Sequence, residues 1–238
     1  MKPQELYDDI VKYCKSNTNK ELIKKYARYF REGYDSYGLT QELLYKKVDE
    51  IIGNKEVSFD LLRETSKLLV KSLKYEESSF AILFYRKYSE SFSRETFDDI
   101  TGWFETGLRN WASCDVICGD TLFVLLRNKI ITYKALKPWL SAENKFQRRA
   151  VPVSLIKLLK TTKDFNEYFS FIEPLMTDPE REVHQGVGWF LREAWKLQKK
   201  TTETFLLKHK DTSPRLIFQY ACEKMTAEEK LRFRKTKT

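Results

Sequence analysis

The chain is poor in residues that interrupt or constrain regular structure. Its 238 residues include 8 Gly, 6 Pro and 4 Cys. No Asn-Gly or Asp-Gly step occurs, so the usual signals for tight β-hairpins are missing. The cysteines are far apart except for Cys114 and Cys118, and without a CxxC pair they indicate neither a disulfide framework nor a zinc ribbon. Such thiols suit a reducing cytoplasm, and for the close pair we favour packing in the core over metal binding.

Several chemical motifs are also absent. There is no Gly-rich phosphate loop, GxSxG, HExxH or GxGxxG, and the only two histidines, His184 and His209, are far apart. No apolar run approaches the roughly 18 residues of a membrane span, and the amino terminus does not resemble a secretory leader. We therefore expect no membrane association, no metal and no cofactor. Any catalysis must rest on carboxylates, aromatic rings and basic residues.

The composition predicts a folded, basic protein. Hydrophobic residues make up 42% and aromatic residues 14% of the chain, which is enough for a packed core. The formal net charge is +9. That surplus is compatible with nucleic acid, an anionic membrane or an acidic partner, and the charge alone does not choose among them.

Apolar residues recur at three- and four-residue steps, which predicts an all-α protein. Leu6, Ile10 and Cys14 are the first example. Candidate helices fall at 3–16, 19–31, 40–53, 58–72, 76–92, 95–109, 114–128, 132–140, 144–160, 165–177, 180–197, 201–208, 213–223 and 226–235.

A weak repeat favours stacked helix pairs. Residues 143–151 resemble residues 179–187 at an offset of 36 (179 − 143 = 36), with Ala150 and Gly186 at matched positions. That spacing is near the period of HEAT-type helix pairs. The sequence therefore predicts an α-solenoid in which antiparallel helix pairs form a single curved superhelical domain over 1–238. Its concave face would be the binding surface, and the basic tail covers about 226–238.

Two details of the helix ends follow from prolines. Asp178, followed by Pro179, is expected to cap the helix that starts near residue 180. Pro152 lies inside the 144–160 helix and should kink it, unless that helix ends earlier.

Three segments stand out as possible sites. In 109–120, Trp111 and Asp115 are four residues apart and would project the same way near a helix start. The segment 144–151 carries Arg148 and Arg149, and 186–196 carries Gly186, Gly188 and Trp189, where the glycines would let a neighbouring backbone or a ligand come close. Each segment alone has a structural explanation: a packed indole beside a capping carboxylate, a solvated arginine pair, and a packed amphipathic helix.

Taken together, these segments resemble the AlkD-like DNA alkylation repair proteins, bacterial alkylpurine DNA glycosylases built from HEAT-like repeats. The resemblance covers most of the chain. It rests on residues 27–31 and 37–40, on the Trp111 to Asp115 spacing, on 146–150 and on 188–193, of which the last is the most specific.

The resemblance implies hydrolysis of the N-glycosidic bond of N3- or N7-alkylated purines in duplex DNA, recognised through the DNA backbone without a base-reading pocket. It assigns catalysis to Asp115, with Trp111 and Trp189 holding the cationic sugar. It assigns DNA binding to Arg149, Arg148 and Tyr29, with the arginines on a backbone phosphate. The protein would act as a monomer, in the cytoplasm and on the nucleoid, without metal or cofactor.

The chain departs from the family pattern at two places. Ala112 stands where the family commonly has an acid, and Gln41, Glu42 and Leu43 stand where Pro and Arg often follow the amino-terminal turn. Neither change alters the residues assigned to catalysis. Two other functions stay open: a non-catalytic HEAT-like module that binds DNA structure or a protein partner, and a helical scaffold without a nucleic-acid role.

Overall fold

The structure is a computed structural model that describes residues 1–236. Within these residues the secondary structure is helical, and no β-strand is present. The α-helices are α1 (Pro3–Ser16), α2 (Lys20–Ala27), α3 (Gln41–Gly53), α4 (Phe59–Lys71), α5 (Tyr75–Lys87), α6 (Arg94–Thr106), α7 (Trp111–Ile117), α8 (Phe123–Arg127), α9 (Lys145–Leu155), α10 (Phe165–Ile172), α11 (Arg181–Leu197), α12 (Lys199–His209), α13 (Arg215–Ala221) and α14 (Ala227–Leu231). The all-α prediction is confirmed.

Apolar periodicity explains most of these helices. α1 buries Leu6, Ile10 and Cys14, which are spaced by one turn on a single face. The predicted basic tail begins with α14 and continues to residue 236, while Lys237 and Thr238 lie outside the described residues. No helix in the described part of the chain is long and apolar enough to cross a membrane.

At several positions where the sequence predicts α-helix, the structure has a 3₁₀ or a π-helical segment. The predicted helix 132–140 is a 3₁₀ helix, Tyr133–Ser141, with Pro138 inside it. The predicted helix 144–160 passes through Pro152 but ends as α-helix at Leu155 and is followed by a 3₁₀ turn. The predicted helix 114–128 begins earlier, at Trp111, and a π-helical turn, Cys118–Leu122, interrupts it. Periodicity does not distinguish these turn types, because they keep nearly the same apolar spacing.

The chain divides into two compact units, Met1–Thr121 and a second that begins at Leu122. In the first unit α4 packs against α1, α5 and α6, and α5 also packs against α3 and α7. Packed helices in this unit are one repeat apart along the chain. For example, α5 begins at Tyr75, and its neighbour α7 begins at Trp111, 36 residues later (111 − 75 = 36).

The second unit repeats the same arrangement. α11 packs against α9 on one side and α13 on the other, and α10 packs against α12. α9 begins at Lys145 and α11 at Arg181, again 36 residues apart (181 − 145 = 36). The repeat offset found in the sequence is thus the spacing between packed helices. Stacked helix pairs of this kind are the architecture of an α-solenoid.

Asp178 forms hydrogen bonds with several parts of the second unit. Its carboxylate accepts from Arg148 Nε at 2.6 Å and Nη2 at 3.2 Å, and its Oδ1 accepts from the Glu180 backbone N–H. Its own carbonyl bonds the imidazole Nε2 of His184. The prediction that Asp178 caps α11 is wrong, because the cap position is Glu180 and the helix starts at Arg181. The carboxylate instead orders the turn before the helix and ties that turn to α9.

Removing the charge of Asp178 should destabilise this turn. The side chains of Arg148 and Asp178 are only 12% and 5% exposed, so Asp178→Asn leaves a desolvated guanidinium without its counter-charge. We expect a loss of about 3 kcal/mol in the free energy of unfolding, measured by urea denaturation. The matched control is Asp98→Asn, which breaks the exposed pair with Arg94 and should cost less than about 0.5 kcal/mol. Equal losses in the two variants would contradict this role for Asp178.

The two glycines near the end of α6 should respond in opposite directions to alanine. A Cβ at Gly107 would lie 1.9 Å from the Val70 carbonyl oxygen, whereas a Cβ at Gly102 meets nothing within 4 Å. Gly107→Ala should therefore lower the unfolding free energy by about 1–3 kcal/mol or more. Gly102→Ala should raise it by about 0.5–1 kcal/mol, because alanine is the better helix former. Thermal denaturation of both variants measures these changes. A Gly107→Ala protein as stable as the wild type would refute the close approach of α6 to α4.

Candidate functional site

The start of α7 places Trp111 and Asp115 on one face. Asn110 is the N-cap, and its side-chain oxygen accepts from the Ser113 backbone N–H at 2.8 Å. The helix therefore begins at Trp111, so Asp115 lies one turn further along the same face. Trp111 is 38% exposed and Asp115 is half-buried, while Cys114, the residue before Asp115, is fully buried. The helix start on which the predicted common direction of the two side chains depends is thus present.

The Trp111 indole is held by the segment that follows α2. Its Nε1–H donates to the Tyr29 carbonyl oxygen at 3.0 Å. The Phe30 ring stacks on it, with centroids 5.7 Å apart and planes 22° from parallel. One edge and one face of the indole are thus fixed, while the residue as a whole stays 38% exposed.

Tyr29 lies beside Trp111, as a common site would require. Its side chain is 52% exposed, and Arg28 lies over its ring at 4.9 Å and donates to its hydroxyl at 2.9 Å. The predicted helix 19–31 ends at Ala27, so Tyr29 and Phe30 are outside it. The apolar spacing continues through Phe30, but tertiary contacts with Trp111 take this segment out of the helix.

Arg148 and Arg149 have different environments on α9. Besides its pair with Asp178, Arg148 donates from Nη1 to the carbonyls of Ala142 at 2.7 Å and Glu143 at 3.0 Å. Its guanidinium is therefore used to hold the loop before α9. Arg149 is 5% exposed and donates from Nη1 to the Glu182 carbonyl at 2.7 Å. Both arginines connect α9 with the start of α11.

The Glu182 side chain carries charge beside that connection. Burial alone would raise its pKa, but the hydrogen bond and charge of Lys145, 3.1 Å away, hold the pKa of Glu182 below its usual value. The carboxylate thus remains ionised at neutral pH. The start of α11 consequently combines basic and acidic groups and is not a purely cationic surface.

Trp189 lies half-buried on α11, one turn after Gln185. The Gln185 amide donates to the Tyr220 hydroxyl at 2.8 Å. A Cβ at Gly188 would lie 2.5 Å from Tyr220 Cβ, and one at Gly186 would lie 3.0 Å from Arg149 Cγ. The close approach expected at these glycines is therefore made by α13 and α9.

The site residues predicted from the sequence fall into two groups. Tyr29, Trp111 and Asp115 belong to the first unit. Arg148, Arg149 and Trp189 belong to the second unit. Within the described residues, no three His, Cys, Asp or Glu side chains form a possible metal site. Cys114 and Cys118 are both buried, in agreement with core packing.

Sequence reasoning missed two residues of the first group. The spacing predicts Phe30 inside a helix, whereas it stacks on the indole, and the cap of α7 is Asn110. The second had a signal in the sequence, since Asn directly before Trp111 is among the preferred capping residues. The stacking of Phe30 had none, because it depends on a contact across 81 positions (111 − 30 = 81).

Comparison with solved structures gives the same fold. A structure described as a predicted DNA alkylation repair enzyme from Enterococcus faecalis superimposes with a TM-score of 0.72 at 17% identity, covering 89% of this chain and 98% of that one. AlkD2 from Streptococcus mutans gives 0.56 at 17% identity, covering 87% and 99%. The protein smu.31 from Streptococcus mutans UA159 gives 0.56 at 18%, covering 87% and 98%. No curated protein matches the chain.

The family comparison is more decisive than these distant structures. The model of the DNA alkylation repair enzyme family matches residues 11–225, which is most of the chain and includes α7, α9 and α11. This chain therefore belongs to the DNA alkylation repair enzyme family.

Proposed function

We propose that the protein is a DNA glycosylase that hydrolyses the N-glycosidic bond of N3- or N7-alkylated purines in duplex DNA. The observation that carries the proposal is the pairing on α7, where the Asp115 carboxylate lies one turn from a fixed, partly exposed indole. A carboxylate and an aromatic face are complementary to the cationic sugar that forms when this bond breaks. Membership of the DNA alkylation repair enzyme family supports alkylated DNA as the substrate.

The reaction needs little acid catalysis. An N3- or N7-alkylated purine already carries positive charge, so it leaves as a neutral base when the bonding electrons move to its nitrogen. Water supplies the new bond to C1′ of the deoxyribose and gives up a proton. In this proposal Asp115 stabilises the positive charge that develops on the sugar and orients the attacking water.

Trp111 would hold the cationic sugar by its accessible face. A cation over an indole is worth about 0.5–2 kcal/mol, depending on how far it is desolvated. The hydrogen bond to the Tyr29 carbonyl and the stacked Phe30 ring fix the indole before substrate arrives. Such preorganisation means that less of the binding energy is lost in ordering the site.

From the second unit we propose Trp189 and Arg149 as further contributors, on the basis of the family motifs that they match. Trp189 would supply a second indole. Arg149 is 5% exposed, so in this proposal it acts on the DNA backbone through its positive charge. The contacts of Arg148 favour a different assignment: it holds the loop before α9 against Asp178, and its effect on DNA is indirect.

The positive charge of the protein supports recognition through the DNA backbone. With a net charge of +9, duplex affinity should fall with salt by about 0.9 log unit per phosphate contact per decade of salt concentration. Exposed Tyr29 and Arg28 next to Trp111 are candidates for such contacts in the first unit. The protein would act as a monomer on the chromosome in the cytoplasm.

The test is the release of 7-methylguanine from a methylated duplex oligonucleotide under single-turnover conditions. Asp115→Asn should reduce the excision rate by a factor of about 100 or more, because the charge at the reacting centre is lost. Duplex affinity should change less than about twofold, because no phosphate contact is removed.

The matched control is Asp120→Asn, a nearby half-buried aspartate whose carboxylate lies 3.8 Å from Arg86. It should excise at close to the wild-type rate. Duplex binding by the wild type without release of any methylated base would overturn the proposal in favour of a non-catalytic DNA-binding module. Equal rates for wild type and Asp115→Asn would overturn the assignment of Asp115.

A further inference from the structure

The segment that holds Trp111 is itself tied to a buried carboxylate. Glu76, in the first turn of α5, is 1% exposed. Its Oε1 accepts from the Ser36 hydroxyl at 2.6 Å and from the backbone N–H groups of Gly38 at 2.8 Å and Leu39 at 3.1 Å. Its Oε2 accepts from the Tyr37 N–H at 2.8 Å. Four donors thus bind the one carboxylate, and both of its oxygens act as acceptors.

The same turn of α5 holds the segment at further points. The Tyr75 N–H donates to the Asp35 carbonyl at 2.8 Å, and Lys74 forms an ion pair with the Asp35 carboxylate. The Tyr37 hydroxyl donates to Glu77 at 2.7 Å. The backbone of 35–39 thus takes its conformation from α5 and not from a helix or sheet of its own.

An aromatic column connects this anchored backbone to Trp111. The Tyr34 ring stacks on Phe30 at 4.5 Å, and Phe30 stacks on Trp111 at 5.7 Å. The Tyr75 ring closes the side of the column, edge-on to Phe30 at 5.6 Å. Since α5 also packs against α7, one helix supports both the indole and the segment that covers it.

We infer that Glu76 is a positioning residue for the Trp111 indole, acting through the segment 29–39. It touches neither substrate nor Trp111. Its role is to fix the backbone whose Tyr29 carbonyl and Phe30 ring set the indole orientation. The inference rests on the proposed function only for its effect on rate, because the orientation of the indole can be measured without substrate.

The variant Glu76→Gln tests this link. An amide replaces one acceptor oxygen by an NH₂ group, so a donor then faces a backbone N–H or the Ser36 hydroxyl and the anchor loosens. With 5-fluorotryptophan in the protein, the ¹⁹F resonance of Trp111 is assigned by its loss in Trp111→Phe. We expect this resonance to shift or broaden in Glu76→Gln while the resonances of the tryptophans in the second unit stay in place.

Kinetics supply the second measurement. If Trp111 is displaced, the single-turnover excision rate should fall by about 10- to 100-fold, as expected for misplacement on the order of 1 Å. Duplex affinity should change less than about threefold. The matched control is Thr65→Val, which removes a buried hydroxyl bonded to the Leu61 carbonyl on α4, away from the segment. It should leave both the Trp111 resonance and the rate unchanged.

Two milder variants keep the inference testable if Glu76→Gln does not fold. Ser36→Ala removes one of the four donors and should move the Trp111 resonance in the same direction by less. Phe30→Leu should move the Trp111 resonance strongly. Phe30→Tyr should leave that resonance near its wild-type position, because the ring is retained. An unmoved Trp111 resonance in Glu76→Gln, or in Ser36→Ala if the former is unfolded, overturns the inference. If the wild type releases no methylated base, the proposed function fails, and the resonance still decides the role of Glu76.

Discussion

Packing between helices one repeat apart is the constraint on which the rest of the structure depends. The longest α-helix in the described residues, Arg181–Leu197, has 17 residues, and many others have 5 to 8. Isolated helices shorter than about 12–15 residues are marginal in water. Many of these helices therefore gain stability from neighbours that begin about one repeat before or after them, as α5 does with α7 and α9 with α11. Glycine contacts such as Gly107 on Val70 and Gly188 on Tyr220 are where this packing is closest.

Carboxylates serve two purposes on this framework. Glu76 and Asp178 are buried, and each is surrounded by donors that belong to other elements, so they join segments that helix packing alone would not fix. Asp115 is placed differently, half-buried on the same face of α7 as an accessible indole. Burying a charge is costly unless it is compensated, so the two structural carboxylates are accounted for by their donors. The chemistry proposed for Asp115 rests on its place beside the Trp111 indole.

The sequence predicted the helical class and the repeat spacing, because both are periodic features that apolar spacing encodes directly. It failed where a non-local contact decides the local conformation. α2 ends at Ala27 and not at residue 31 because Phe30 stacks on Trp111. Asp178 does not cap α11 because it binds Arg148. Neither partner can be identified from spacing along the chain.

The anchor at Glu76 has a consequence for hydrogen exchange. Residues 36–39 belong to no helix, yet the amides of Tyr37, Gly38 and Leu39 are buried and donate to one carboxylate. Exposed loop amides exchange almost freely, whereas amides in cooperative units exchange only when the unit opens. We therefore expect these three amides to exchange only when their contacts with α5 open, although they lie in a connecting segment. By that measure the segment would belong to the same folding unit as the first turn of α5.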